Sequence, residues 1–208
     1  MKIAYLITAY SNFVHLKRLI DALDEPNVAF YIHVDKKSDF REENFRNEKV
    51  HFIDRIKVSW GGWSHQQAIL DLMVAAHKTG YNRYVLLSEA DYPITSNEAL
   101  HAKLKQKVEY LNLLKGFHDH KPEERIKYMH FDGFDRRDKT ALRTRIFTTL
   151  ESWLKLVYRK KRCPFPQIYH GTTWWALSKD AVAYILSFVE KNRNYVAFFK
   201  TSWCPEES

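Results

Sequence analysis

The sequence predicts an α/β fold with a largely parallel central sheet and flanking helices. Three observations carry that expectation: short runs of strand-forming apolar residues, apolar residues at helical three-and-four spacing between them, and regular alternation of the two patterns. Lys2 to Thr8 is the first apolar run, and Phe13, Leu16, Leu19, Ile20 and Leu23 then mark a helix face. Phe30 to Asp35 reads as a second strand ending in a carboxylate, and Val50 to Ile53 as a third. Ser64-His-Gln-Gln67 fits a capping box opening a helix through Ala68, Leu72 and Ala75, with Gly80 as its terminal signal. Arg83 to Ser88 reads as a buried strand, and Thr95-Ser-Asn-Glu98 as a second capping box before the helix through Leu100 and Leu104. Val108 to Leu114 and Trp174 to Leu177 are further strands, and Ser178 caps a helix over 179–190.

The 208 residues suffice for a single domain with a buried core, and 45% hydrophobic with 15% aromatic residues excludes a disordered or collagen-like chain. No run approaches the roughly 20 apolar residues that a membrane span needs. The opening apolar stretch is too short for a secretory signal, so the expected location is the cytoplasm. Cys163 and Cys204 are then expected as two reduced thiols rather than a disulfide. The formal charge of +8 lies within one window: residues 136–162 hold ten Lys and Arg against Asp138 and Glu151, which leaves 23 of each sign elsewhere. Ile146, Phe147, Leu150, Trp153, Leu154 and Val157 fall at helical spacing there, so 136–162 reads as a basic amphipathic segment. Such a segment suits an anionic membrane surface, a diphosphate ligand or nucleic acid, and equally a solvated helix whose apolar stripe packs on the core. Phe147, Trp153 and Tyr158 would supply stacking for a nucleic-acid reading. Balanced charge elsewhere and acidic strand ends argue that nucleic acid is not the partner.

Sheets of this kind bind ligands beyond the carboxyl ends of their strands. Thr8 to Ser11, Asp35-Lys-Lys37, Glu89-Ala-Asp91 and the Gly171-Thr-Thr173 region all follow or adjoin expected strands. Neither G-x-G-x-x-G nor a Walker-type G-x-x-x-x-G-K occurs. Asp35 could accept hydrogen bonds from a ribose while Lys36 and Lys37 face phosphate, or simply pair with those lysines. Glu89-x-Asp91 has the form that holds Mg²⁺ or Mn²⁺ between diphosphate oxygens, while Asp91 before Tyr92-Pro93 equally forms a turn. His118-Asp-His120 lacks further ligands at zinc spacing and reads as exposed histidines. Near the C-terminus, Glu206 and Glu207 follow Trp203; a carboxylate desolvated by aromatics gains proton affinity suited to a general base, while an exposed acidic helix start has the same sequence.

Four ordered blocks carry a resemblance: Phe30-Tyr-Ile-His-Val-Asp-Lys-Lys37; Val58-Ser-Trp-Gly-Gly62 with Ser64; Tyr84 to Ile94; and His170-Gly-Thr-Thr-Trp174 leading to Pro205-Glu-Glu-Ser208. Together they resemble the core-2/I-branching glycosyltransferases, the family of branching β-1,6-N-acetylglucosaminyltransferases and peptide O-xylosyltransferases. Trp60-Gly-Gly62 and Pro205-x-Glu-Ser208 lean toward the xylosyltransferase branch.

The resemblance implies a GT-A type Rossmann-like fold over one domain, 1–208, and inverting transfer of a sugar, of the N-acetylglucosamine or xylose type, from a UDP-sugar to a hydroxyl. It implies no cofactor and no required metal. By the same resemblance Thr8, Ala9, Tyr10, Asp35, Lys36, Lys37, Val58, Ser59 and Trp60 line the donor side, and Asp91 faces the sugar. Glu207 matches the catalytic base, and Glu124, Arg125, Thr173 and Trp174 fall on the acceptor side. The expected partners are a UDP-sugar and a glycan or lipid-linked saccharide acceptor, with an anionic membrane surface, the inner face, for 136–162. Glu89 departs from the family's small or uncharged residue. The chain also ends one residue past Glu207, whereas the family continues into a helix and basic diphosphate-binding residues; the expectation is a truncated domain, or one in which Lys36, Lys37 and 136–162 substitute.

Overall fold

The computed structural model describes residues 1–45, 47–119, 121–157 and 160–207. His120, Tyr158, Arg159 and Ser208, which entered the sequence reading, lie outside the described residues. The chain runs β1 (Ile3–Ala9), α1 (Phe13–Leu23), β2 (Val28–Val34), a 3₁₀ turn, β3 (Val50–Phe52), α2 (Trp63–His77), β4 (Arg83–Ser88) and α3 (Asn97–Leu104). It continues through β5 (Tyr110–Leu111), β6 (Leu114–Lys115), α4 (Glu124–Lys127), α5 (Leu142–Val157), β7 (Tyr169–His170), β8 (Trp175–Ser178), α6 (Lys179–Lys191), α7 (Arg193–Phe199) and a 3₁₀ turn at Pro205–Glu207. These elements form two compact units: residues 1–56, 68–111 and 174–187, and residues 57–67, 112–173 and 188–208.

The first unit is built on a six-stranded sheet of order β3-β2-β1-β4-β8-β5. β3, β2, β1 and β4 are parallel, and β8 runs antiparallel to both β4 and β5. All of β2 and nearly all of β1 is buried, as expected for strands covered on both faces. Leu16, Leu19, Ile20 and Leu23 of α1 close one side of this core, each contributing on the order of 1.5–3 kcal/mol by burial. Asn12 caps α1 by accepting the His15 N–H.

Three local expectations need correction. The cap of α3 is Ser96, which accepts the Ala99 N–H, one residue later than the Thr95 box. The strand expected over Val108 to Leu114 is two short strands, β5 and β6, in different units. Ser64 does not cap α2, which already begins at Trp63: its hydroxyl accepts the Ser59 N–H and donates to Asp132, so a tertiary carboxylate displaced the local box. Ser178, by contrast, caps α6 through the Ala181 N–H as expected.

In the second unit β6 and β7 pair antiparallel, Leu114 opposite His170. The helix of the basic segment, α5, covers only Leu142–Val157 of 136–162; its two buried residues are polar, Thr144 and Glu151, with Phe147 half-buried beside them against Phe131 and Phe134. Glu151 accepts the Phe131 N–H at 2.7 Å and pairs with Arg136 at 2.5 Å, His130 lying at 3.5 Å. Burial by itself would raise its proton affinity, but the adjacent His130, the hydrogen bonds from Arg136 and Phe131 and the Arg136 charge prevail and take the pKa from an ordinary 4.5 to about 2. Its contribution is therefore complete above about pH 4.5 and lost as the pH falls toward 2. Urea midpoints measured across that interval should show about 3 kcal/mol of stability lost, and Glu151→Gln should flatten this limb while lowering stability at neutral pH.

Gly61 has φ +70°, and a Cβ there would lie 2.6 Å from Trp203 Cδ1 and 3.2 Å from Cys204 Sγ. Gly80 has φ +81° with open space around it. Gly80→Ala should cost only the backbone strain, about 1–2 kcal/mol, and Gly61→Ala clearly more in the same urea series, because a ring must also move.

Candidate active site

In the first unit the register of β1 between β2 and β4 sets Thr8 opposite both His33 and Ser88, so the residues that follow the three strands emerge at one edge. Thr8, Ala9 and Tyr10 end β1 there, with Tyr10 exposed. The Asp35 N–H donates to Ala9 O at 2.8 Å and the Glu89 N–H to Thr8 O at 3.0 Å, tying the three exits together. Because β8 is antiparallel with Trp175 opposite Leu86, Trp174 arrives at the same edge, where its Nε1–H donates to Asp91 at 2.8 Å.

Each loop at this edge is fixed by a charged side chain that bonds backbone groups. The buried Glu89 carboxylate accepts the N–H groups of Tyr10 and Ser11, at 2.7 and 3.0 Å, and the Ser11 hydroxyl. Arg55 donates to the carbonyls of Asp35 and Ser38 at 2.8 and 2.6 Å and more weakly to Val34, pinning the 35–38 turn. Asp35 itself accepts the Lys37 N–H at 2.9 Å and has the Lys37 ammonium at 3.4 Å, the self-pairing alternative, while Lys36 is exposed.

The Glu89-x-Asp91 pair does not act as a unit. Asp91 Oδ2 accepts the Ser88 N–H and hydroxyl as well as the Trp174 indole, whereas Glu89 serves the Tyr10 loop. The two carboxylates are aimed at different donors, and among the described residues no group of three or more His, Cys, Asp or Glu is placed to hold a metal ion. Arg55 and the role of Glu89 were missed by the sequence reading: a basic residue in a loop and an acid after a strand carry no signal that their partners are main-chain groups.

In the second unit Val58, Ser59 and Trp60 lead into the Gly61 turn. Ser59 is buried and accepts the Gly62 N–H, and Trp60 is exposed, edge-on to Trp203 with ring centroids 6.2 Å apart. The Cys204 N–H donates to Gly61 O at 2.8 Å, holding Cys204 at φ +48° just before the 3₁₀ turn that presents Glu206 and Glu207. Burial, with Glu206 nearby, pushes the Cys204 thiol up to about 12, and both cysteines are free thiols.

Glu207 sits among cations rather than against the aromatic surface the sequence suggested. Its Oε2 takes Arg125 Nη1 at 2.7 Å and Lys121 Nζ at 3.0 Å, and the Trp203 ring instead receives the Arg125 guanidinium, 5.2 Å from its centroid. The Glu207 carbonyl accepts the Gly171 N–H at 2.9 Å, and Lys121 also donates to Gly171 O. Glu206 points elsewhere, 3.2 Å from His65 Nδ1. His170 is buried nearby, its proton affinity lowered by burial and then by Lys121. Of the residues assigned to the acceptor side, Arg125 joins Glu207; Glu124 has an exposed side chain and offers its carbonyl to His130; Thr173 is half-buried; and Trp174 belongs with Asp91 in the first unit. Lys121 was the missed partner of Glu207, although it opens the same Lys121-Pro-Glu-Glu-Arg125 segment.

An open, mostly parallel sheet whose strand-end loops carry acidic, basic and aromatic side chains defines the ligand-binding class of α/β folds. Within that class the chain belongs to the Core-2/I-Branching enzyme family, whose profile matches residues 3–208. It is similar to Xylosyltransferase oxt of Drosophila pseudoobscura pseudoobscura, 26% identical over 197 residues, covering 89% of this chain and 20% of that protein. It is also similar to Xylosyltransferase 2 of Homo sapiens, 25% identical over 198 residues, covering 89% and 21%. The chain thus spans about a fifth of the length of the curated relatives it matches. Among solved structures, mouse xyloside xylosyltransferase 1 in its apo form aligns with a TM-score of 0.38 and 12% identity, over 98% of this chain and 77% of that one.

Removing the Glu89 carboxylate leaves backbone donors without their acceptor. Glu89→Ala should destabilise the chain by about 1–3 kcal/mol in chemical denaturation and raise amide exchange at Tyr10 and Ser11 above that of the β1 interior.

Proposed function

We propose that the chain is one glycosyltransferase domain that moves a sugar of the N-acetylglucosamine or xylose type from a UDP-sugar to a hydroxyl of a glycan or lipid-linked saccharide, with inversion. The observation that carries this reading is the state of Glu207. Oε2 is anchored by Arg125 and Lys121, and Oε1 takes no donor among the described residues. One oxygen is held in place while the other is open to accept a proton.

In the proposed reaction Glu207 takes the proton of the acceptor hydroxyl as that oxygen attacks the anomeric carbon. The bond from that carbon to the diphosphate oxygen breaks, and UDP leaves with the electron pair. Thr8 to Tyr10 and Asp35 to Lys37 hold the uridine and diphosphate, Val58 to Trp60 complete the donor side, and Asp91 faces the sugar. Glu124, Arg125, Thr173 and Trp174 are assigned to the acceptor, with Arg125 also orienting the base. The reading uses no metal, in keeping with two strand-end carboxylates each committed to protein donors.

The test is UDP release from UDP-xylose and UDP-N-acetylglucosamine, with a saccharide acceptor or with water as a slow one. Glu207→Gln should lower kcat by about 10²- to 10⁴-fold while calorimetric UDP affinity stays within about twofold. Retention of turnover by this variant would remove Glu207 from the chemistry.

A further inference from the structure

Helix α5 is inverted relative to an ordinary surface helix. Its inward face carries Thr144 and Glu151, whereas Leu142, Ile146, Trp153 and Leu156 are 71, 56, 55 and 86% exposed. At about 100° per residue, Leu142, Ile146, Leu150, Trp153, Leu156 and Val157 form one continuous outward stripe opposite Thr144 and Glu151. Arg143 and Arg145 flank that stripe on its two sides, and exposed Lys139, Lys160 and Arg162 lie beyond its ends. Not every cation of the window is outward: Arg136 is tied to Glu151, and the Lys161 ammonium donates to Phe198 O, Thr201 O and Ser202 Oγ.

We propose that this face of α5 is a docking surface for an anionic lipid bilayer, with the stripe among the upper acyl chains and the flanking cations at the headgroups. The proposal stands independently of the reaction assigned above, and it would seat the chain peripherally on such a membrane. Charge selects the occupant. A rim of exposed Lys139, Arg143, Arg145, Lys160 and Arg162 would repel a second copy of itself, and an anionic surface complements it. The chemistry of the stripe favours lipid over nucleic acid: Leu142, Ile146, Leu150, Leu156 and Val157 are aliphatic, Phe147 is stacked inward on Phe134 at 5.2 Å, and Trp153 is the one aromatic ring in the stripe, as suits the interfacial level of a bilayer.

Co-sedimentation of the full 208-residue chain with phosphatidylcholine vesicles, with and without phosphatidylglycerol, tests this. The expected result is at least roughly tenfold stronger binding to the anionic vesicles, weakening as salt rises. Trp153→Glu should abolish that binding, and Arg143→Gln and Arg145→Gln should each weaken it roughly fivefold. All three positions are exposed, so circular dichroism should be unchanged. Brominated acyl chains should quench a component of tryptophan fluorescence that Trp153→Phe removes. Three results would overturn the proposal: no preference for anionic vesicles, a concentration-dependent dimer that Trp153→Glu dissolves without any vesicle binding, or salt-sensitive binding of random oligonucleotides in place of vesicle binding.

Discussion

The first unit depends on one constraint, the parallel register of β1 between β2 and β4. A parallel neighbour on each side sends all three carboxyl ends to the same edge, and the end of β1 is bonded to both neighbouring exits, Ala9 O by the Asp35 N–H and Thr8 O by the Glu89 N–H. The antiparallel β8 adds Trp174 to that edge from the opposite chain direction. The strand ends alone would be loops with unpaired main-chain groups, and it is the carboxylate of Glu89 and the guanidinium of Arg55 that satisfy them. Rigidity at this edge is therefore electrostatic as much as hydrophobic.

The sheet was legible in the sequence because its signals are local: β-branched and aromatic runs for β1, β2 and β4, and the three-and-four spacing of α1 and α6. The failures were tertiary. Ser64 has the form of a helix cap, yet Asp132, 68 residues away, takes its hydroxyl and its N–H, and no window of sequence around Ser64 contains that information. Val108 to Leu114 alternates well enough for one strand, but β5 pairs with β8 and β6 with β7, so the chain divides at Asn112. The family blocks name candidate positions for a site, but not the interactions those positions make. Glu207 and Arg125 are candidates in the sequence, but the pairing of Glu207 with Arg125 and Lys121 joins residues far apart in the chain and leaves no local signal.

The basic segment shows how burial alters a pattern that composition makes obvious. An apolar stripe at helical spacing is ordinarily the inward face. Here Glu151, pairing with Arg136 and accepting from Phe131, fixes the opposite face inward, and the stripe turns to solvent. A buried acid thus determines which side of α5 is available to a partner. The same pairing accounts for part of the excess charge, so the outward cations are fewer than the sequence count and flank the apolar residues.

The proposed use of a UDP-sugar donor without a metal is open to direct test. The most direct measurement is calorimetric titration of the chain with UDP, once in EDTA and once with Mn²⁺. Binding is expected in both with the same affinity within about twofold, since the Glu89 and Asp91 carboxylates are each taken by protein donors. Binding only in the presence of Mn²⁺, or no binding in either, would contradict it.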